Sequence, residues 1–146
     1  MSAIEVTTVI GIPPDEVWRH IEDIAAHTDW MADAEAIRFT SDRRQGTGTT
    51  FECDTKVGPL RLTDEMAITA WVPGRLMGVR HEGIVTGSGQ FTLEPVSGGR
   101  TRFTWEEELV FPWWMGGRVG AAIGAPVLRR IWRANLDRLR DLTEST

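Results

Sequence analysis

Apolar and polar positions alternate along residues 3–11, AIEVTTVIG, as on a half-buried strand, and Ile12-Pro13-Pro14 ends the run because proline cannot continue a ladder. The spacing then turns helical. Val17, Ile21 and Ile24 recur on one face with Trp18 beside them, and Asp15 and Glu16 occupy the first turn, where carboxylates suit the positive end of the helix dipole. Ala25 to Met31 reads as a second short helical turn ending in Trp30. Beyond residue 34 the period changes again. AIRF, TTFECDTKV, LRLTDEMAITAW, RLMGVRHE, SGQFTLEP and RTRFTWEEELVF alternate or carry β-favouring residues, which predicts six strands. Between them lie Gln45-Gly46-Thr47-Gly48, Gly58-Pro59, Pro73-Gly74, Val85-Thr86-Gly87 and Ser97-Gly98-Gly99, links too short for a parallel crossover. With the first strand this makes a seven-stranded antiparallel meander interrupted by two short helices.

Residues 113–143 predict the longest helix, with Leu128, Ile131, Asn135, Leu139 and Leu142 on one stripe and Trp132 and Leu136 next to it. Its opening, WWMGGRVGAAIGAP, is rich in glycine, which costs about 1 kcal/mol per residue against alanine, and Pro126 removes a backbone donor. A kink or break near Gly124 to Pro126 is therefore expected, with the segment before it free to open.

A chain of 146 residues is long enough for one domain with a sizeable core, and residues 1–146 are read as a single domain. Seven Trp and no Tyr supply large apolar area with little hydrogen bonding, suited to a thick core or to a pocket wall. The net charge of −5 and a single lysine, Lys56, speak against a nucleic-acid partner. Six arginines gather toward the C-terminus (Arg118, Arg129, Arg130, Arg133, Arg138, Arg140), as on a solvated helix face or an anionic-lipid contact. One cysteine, Cys53, gives no internal disulfide and reads as core packing. With no export signal in MSAIEVTTVIGIPP and no spanning apolar run, the expected location is cytoplasmic. His20, His27 and His81 are too scattered to ligate a metal, and neither a phosphate loop nor a dinucleotide fingerprint is present, so no metal or cofactor is expected.

The segment Ile12-Pro13-Pro14-Asp15-Glu16-Val17-Trp18 followed by Trp30-Met31, the turn Trp71-Val72-Pro73-Gly74-Arg75-Leu76, and Gly98-Gly99-Arg100-Thr101-Arg102-Phe103-Thr104-Trp105 are local signatures in one order. In these segments, and in its order of elements, the chain resembles the START-like (SRPBCC) superfamily, with its polyketide cyclase/dehydrase and lipid-transport proteins. The resemblance implies an α+β helix-grip fold, a curved seven-stranded antiparallel sheet wrapped around the C-terminal helix. It also implies a tunnel between the two that takes a small hydrophobic or aromatic molecule. These motifs are turn and core signatures and name no catalytic residue.

Strand alternation supplies the candidate lining. Phe103, Trp105, Glu107 and Leu109 share one face of the last strand, and Leu62, Asp64 and Met66 share one face of the third predicted strand after residue 34. Phe39, Phe51, Val79, His81 and Phe91 complete the sheet's contribution, with Trp114, Ile123, Leu128 and Ile131 from the helical segment. The set Met77, Val79 and His81 competes with Leu76, Gly78 and Arg80 for the inner face. Asp64 and Glu107 are the candidate acid and base of a cyclase or dehydratase, if both reach a ligand. The alternative is that each sits wet at a strand end or pairs with an arginine such as Arg80. Trp113 and Trp114 either gate the entrance or plug the end of the core. Three functions compete: an apolar-ligand carrier, a cyclase/dehydratase, and a protein-interaction domain like co-chaperone relatives of the fold. The expected assembly is a monomer or weak dimer.

Overall fold

The computed structural model describes residues 3–145. Strand β1 (Ala3–Ile10) leads to helix α1 (Pro14–Ile21), which starts on a proline and buries Val17, Trp18 and Ile21. A 3-10 turn over Ile24–Asp29 follows. Six strands come next: β2 (Ala34–Phe39), β3 (Thr50–Val57), β4 (Leu60–Val72), β5 (Leu76–Glu82), β6 (Thr86–Val96) and β7 (Arg100–Val110). Another 3-10 turn, Trp113–Met115, leads into helix α2 (Gly117–Glu144). All seven strands form one antiparallel sheet, as expected; β2 to β7 follow one another as a meander, and β1 pairs with β7 to give the order β1-β7-β6-β5-β4-β3-β2. Register shifts at Ala34/Ala36 and at Ile68/Ala70 break the ladder locally, a device that bends strands, and the concave face turns toward α2. Among the described residues no helix is long and apolar enough to cross a membrane.

Two expectations need correction. Thr86 and Gly87 lie within β6 rather than in a turn, and the Gly87-Ser88-Gly89 stretch is strand throughout. Nor does α2 break at Pro126: it runs unbroken from Gly117 to Glu144. Pro126 and Ala122, whose carbonyl it leaves unpaired, are both exposed, so water can satisfy what the helix loses. Of the four glycines, Gly116 caps the turn before the helix, while Gly117, Gly120 and Gly124 lie inside it. Gly116 has φ 92, and a Cβ on Gly120 would stand 2.0 Å from the Met115 carbonyl oxygen.

The buried face of α2 is centred on Trp132, Asn135, Leu136 and Leu139, while Leu142, placed on the stripe by spacing, is 39% exposed. Trp132 stacks on Trp105 of β7 at 4.7 Å between ring centroids. Its indole Nε1–H donates to Asp33 at 3.2 Å, and the Asn135 amide donates to the same carboxylate at 2.7 Å. The Asn135 side-chain oxygen accepts from the Ala32 N–H, and Arg138 donates to the Trp30 carbonyl. The second half of α2 is thus bolted to residues 30–33. Asn135→Leu keeps the branched shape of the side chain and strips Asp33 and Ala32 of a partner. It should lower the urea unfolding free energy by about 2–3 kcal/mol; an unchanged midpoint would show that the bolt contributes nothing.

Candidate functional site

A cavity of about 350 Å³ lies between the concave face and α2. Alternation along β3, β4 and β5 turns Phe51, Cys53 and Thr55, then Leu62, Asp64 and Met66, then Met77, Val79 and His81 toward it. Phe91, Trp105, Glu107 and Leu109 line it from β6 and β7, and Ile123, Val127, Leu128 and Trp132 from α2. Between the short helical turn and the sheet, Ile24, His27 and Met31 close one end. The wall is mostly apolar.

Its main polar feature runs diagonally across four strands, from Asp64 on β4 through His81 on β5 and over β6 to Glu107 on β7. The Nε2–H of His81 donates to Glu107 Oε1 although β6 lies between their strands. Glycine makes this possible. Gly89 is paired with Glu107 and Gly87 with His81, so no side chain stands between them. A Cβ on Gly89 would come within 2.2 Å of Glu107 Cγ, and one on Gly87 within 1.9 Å of the Glu108 carbonyl oxygen. Glu107 is only 4% exposed.

Burial alone would lower the His81 pKa, but the charge of Glu107, the hydrogen bond to it and the charge of Asp64 outweigh that, and the net direction is up. Asp64 is also raised, chiefly by burial, with Glu107 adding to it and His81 and a Thr55 hydrogen bond opposing. Thr55 Oγ1 donates to Asp64 Oδ2 at 3.2 Å, whereas Asp64 Oδ1 is buried with no hydrogen-bond partner among the described residues. Cys53 is pushed up to about 11 by burial, which keeps it a thiol and suits packing. His27 is pulled down to about 4 by burial, against its 2.7 Å bond to the Ile21 carbonyl, and serves as a neutral structural donor. The polar diagonal can hold and move a proton within an apolar chamber.

Of the residues expected from the sequence, Phe51, Leu62, Met66, Val79, His81, Phe91, Trp105, Leu109, Ile123 and Leu128 face this cavity together with Asp64 and Glu107. Four do not. Phe39 packs against Phe51 on the edge strand under the Arg44 guanidinium, and Phe103 is fully buried between Trp30 and Phe91. Trp114 is 58% exposed, and Ile131 packs half-buried against the core. Trp113 is more exposed still, so neither Trp plugs the core. Not anticipated from spacing are Ile24 and His27, three residues apart on the 3-10 turn, Met31 just beyond that turn, and Trp132, one position off the assumed stripe.

A family model described as "Polyketide cyclase / dehydrase and lipid transport" matches residues 1–144. The fold is similar to that of the Zhui aromatase/cyclase from Streptomyces sp. R1128, with TM-score 0.81 and 18% identity, covering 98% of this chain and 93% of that one. It is also similar to TTHA0849 from Thermus thermophilus (TM-score 0.78, 16% identity, 99% and 98% covered). A third likeness is CV1439 from Chromobacterium violaceum (TM-score 0.70, 21% identity, 99% of each chain). No curated protein matches the sequence.

The pairing of His81 with Glu107 sets a pH dependence. A folded-state pKa above that of the unfolded chain means the pair's stabilisation is complete below about pH 6.5 and is lost as pH rises through the folded value. Glu107→Gln removes the attraction but leaves the burial. The His81 pKa, followed by NMR of its ring protons, should then fall below the ordinary value of about 6.5. An unchanged titration would mean that Glu107 does not set the charge state of His81.

Proposed function

The chain belongs to the polyketide cyclase/dehydrase and lipid transport family, and on that premise we propose that it binds and carries a small hydrophobic or aromatic molecule in the cavity, residues 1–146 acting as one ligand-binding domain. One observation carries this reading: a preformed apolar chamber of about 350 Å³ within the fold, in the range of small-molecule sites. Phe51, Leu62, Met66, Val79, Phe91, Trp105 and Leu109 supply its apolar contacts, and Ile123 and Leu128 contribute from the helix. The ligand that fits is an apolar skeleton with one polar group, placed to meet Asp64, His81 and Glu107.

Native mass spectrometry of gently purified protein should reveal a co-purifying apolar molecule. Val79→Trp, which fills the chamber, should weaken binding of 2-ethylnaphthalene at least about tenfold and leave a cooperative melting transition, since the added volume enters empty space. Equal binding by the variant would put the ligand elsewhere.

A second reading, cyclase or dehydratase chemistry, is favoured by the His81–Glu107 pair facing the same chamber. There Glu107 and His81 shuttle a proton to or from a bound polyketone and Asp64 sustains the charge on His81. Under this reading a linear polyketone mimic turns over and Glu107→Gln lowers kcat by about 100-fold or more while the mimic still binds. Absence of turnover by the intact protein leaves the carrier reading alone.

A further inference from the structure

The first half of α2 presents an unusual face to solvent. Val119 is 68% exposed, Ile123 71% and Val127 51%, and their spacing of four residues puts them on one stripe. Trp113 and Trp114, in the turn that leads into the helix, extend the apolar surface. Arg130 and Arg133 continue the exposed face toward the C-terminus, with Arg118 exposed near its start. Residues 109–136 hold four arginines and not one Asp or Glu, in a chain whose net charge is −5. Between Glu108 and Asp137, exposed apolar and basic residues thus stand together without an acid, in an otherwise acidic protein.

Ile123 and Val127 are both exposed and part of the cavity lining, so the stripe is the lip of the chamber. We propose that this face docks the protein on an anionic lipid bilayer, with Trp113, Trp114, Val119, Ile123 and Val127 in the interfacial region and the arginines against lipid phosphates. A basic helix that is apolar on one face and carries Trp is the kind of element that lies in the plane of a membrane surface. A second copy of the chain is the poorer occupant. A two-fold contact centred on Val119, Ile123 and Val127 would bring Arg130 and Arg133 of both copies together, and the first acid beyond them on that face, Asp137, is already paired with Arg140 at 3.6 Å. The proposal deepens the carrier reading by naming where the load is exchanged: a mouth that opens against lipid spares an apolar ligand the passage through water. It stands on residues outside the chamber wall as well as on the lip, so the two can fail separately.

The test is flotation of the intact protein with vesicles of phosphatidylcholine alone or mixed with phosphatidylglycerol, read together with tryptophan emission. The protein should float with the mixed vesicles only, with emission shifting to the blue as Trp113 and Trp114 leave water, and added salt should release it. Val119→Asp and the pair Arg130→Glu and Arg133→Glu change exposed side chains that do not line the cavity. Each should weaken vesicle binding about tenfold or more while binding of 2-ethylnaphthalene stays as in the parent. Any of three results overturns the docking proposal: no association with mixed vesicles, equal association with phosphatidylcholine alone, or binding indifferent to these variants. A stable dimer that Val119→Asp converts to monomer assigns the face to a second copy and overturns it too. Loss of 2-ethylnaphthalene binding in the parent with vesicle docking intact would instead sink the carrier reading.

Discussion

The fastening of α2 at one half only is what the rest of the molecule depends on. Trp132 stacks on Trp105, and Asn135 and Trp132 both donate to Asp33, so the helix is held where it crosses residues 30–33. A curved sheet must cover its concave face to bury it. Here the cover is tight beneath Trp132, Leu136 and Leu139, and stands off the sheet beneath Ile123 and Val127. The same helix is thus a core element over its second half and a roof over its first. Burial near the bolt stabilises the fold, and the gap left under the roof is the chamber.

Within that chamber the polar diagonal is held in place by what β6 lacks. A side chain at position 89 would fill the space that the Glu107 side chain takes to reach His81, and one at position 87 would collide with the backbone of β7. Two carboxylates and one imidazole in an apolar wall are costly unless they neutralise one another, and the His81–Glu107 bond offsets part of that cost. Asp64 keeps one oxygen without a partner among the described residues, a demand for hydrogen bonding that they leave open. Such a group points toward ligand recognition or proton transfer more than toward stability.

The fold was legible because the chain is consistent at each level. Period-two alternation marks the strands, glycine and proline mark the turns between them, and helical spacing marks Val17, Ile21 and the long C-terminal segment. The chamber was legible through parity: once one residue of a strand faces inward, its neighbours at two-residue intervals follow, which joins Leu62 to Asp64 and Met66, and Val79 to His81. Parity cannot say how far along a strand the cavity extends, so Phe103, one step beyond Trp105, falls in solid core and Phe39 on the edge. The glycines misled for a related reason. Composition shows their cost to helix and strand, whereas their purpose is a close approach seen only in three dimensions: Met115 against Gly120, and Glu107 against Gly89. The contact of His81 with Glu107 joins strands that are not neighbours, and strand-by-strand reading cannot see it.

Intermolecular NOEs from 2-ethylnaphthalene to methyl-labelled protein test the central claim most directly. The account predicts contacts to the methyl groups of Leu62, Met66, Val79 and Leu109, all within one enclosed wall. Contacts confined to exposed methyls such as those of Val9 and Val72, with none from that wall, would contradict it.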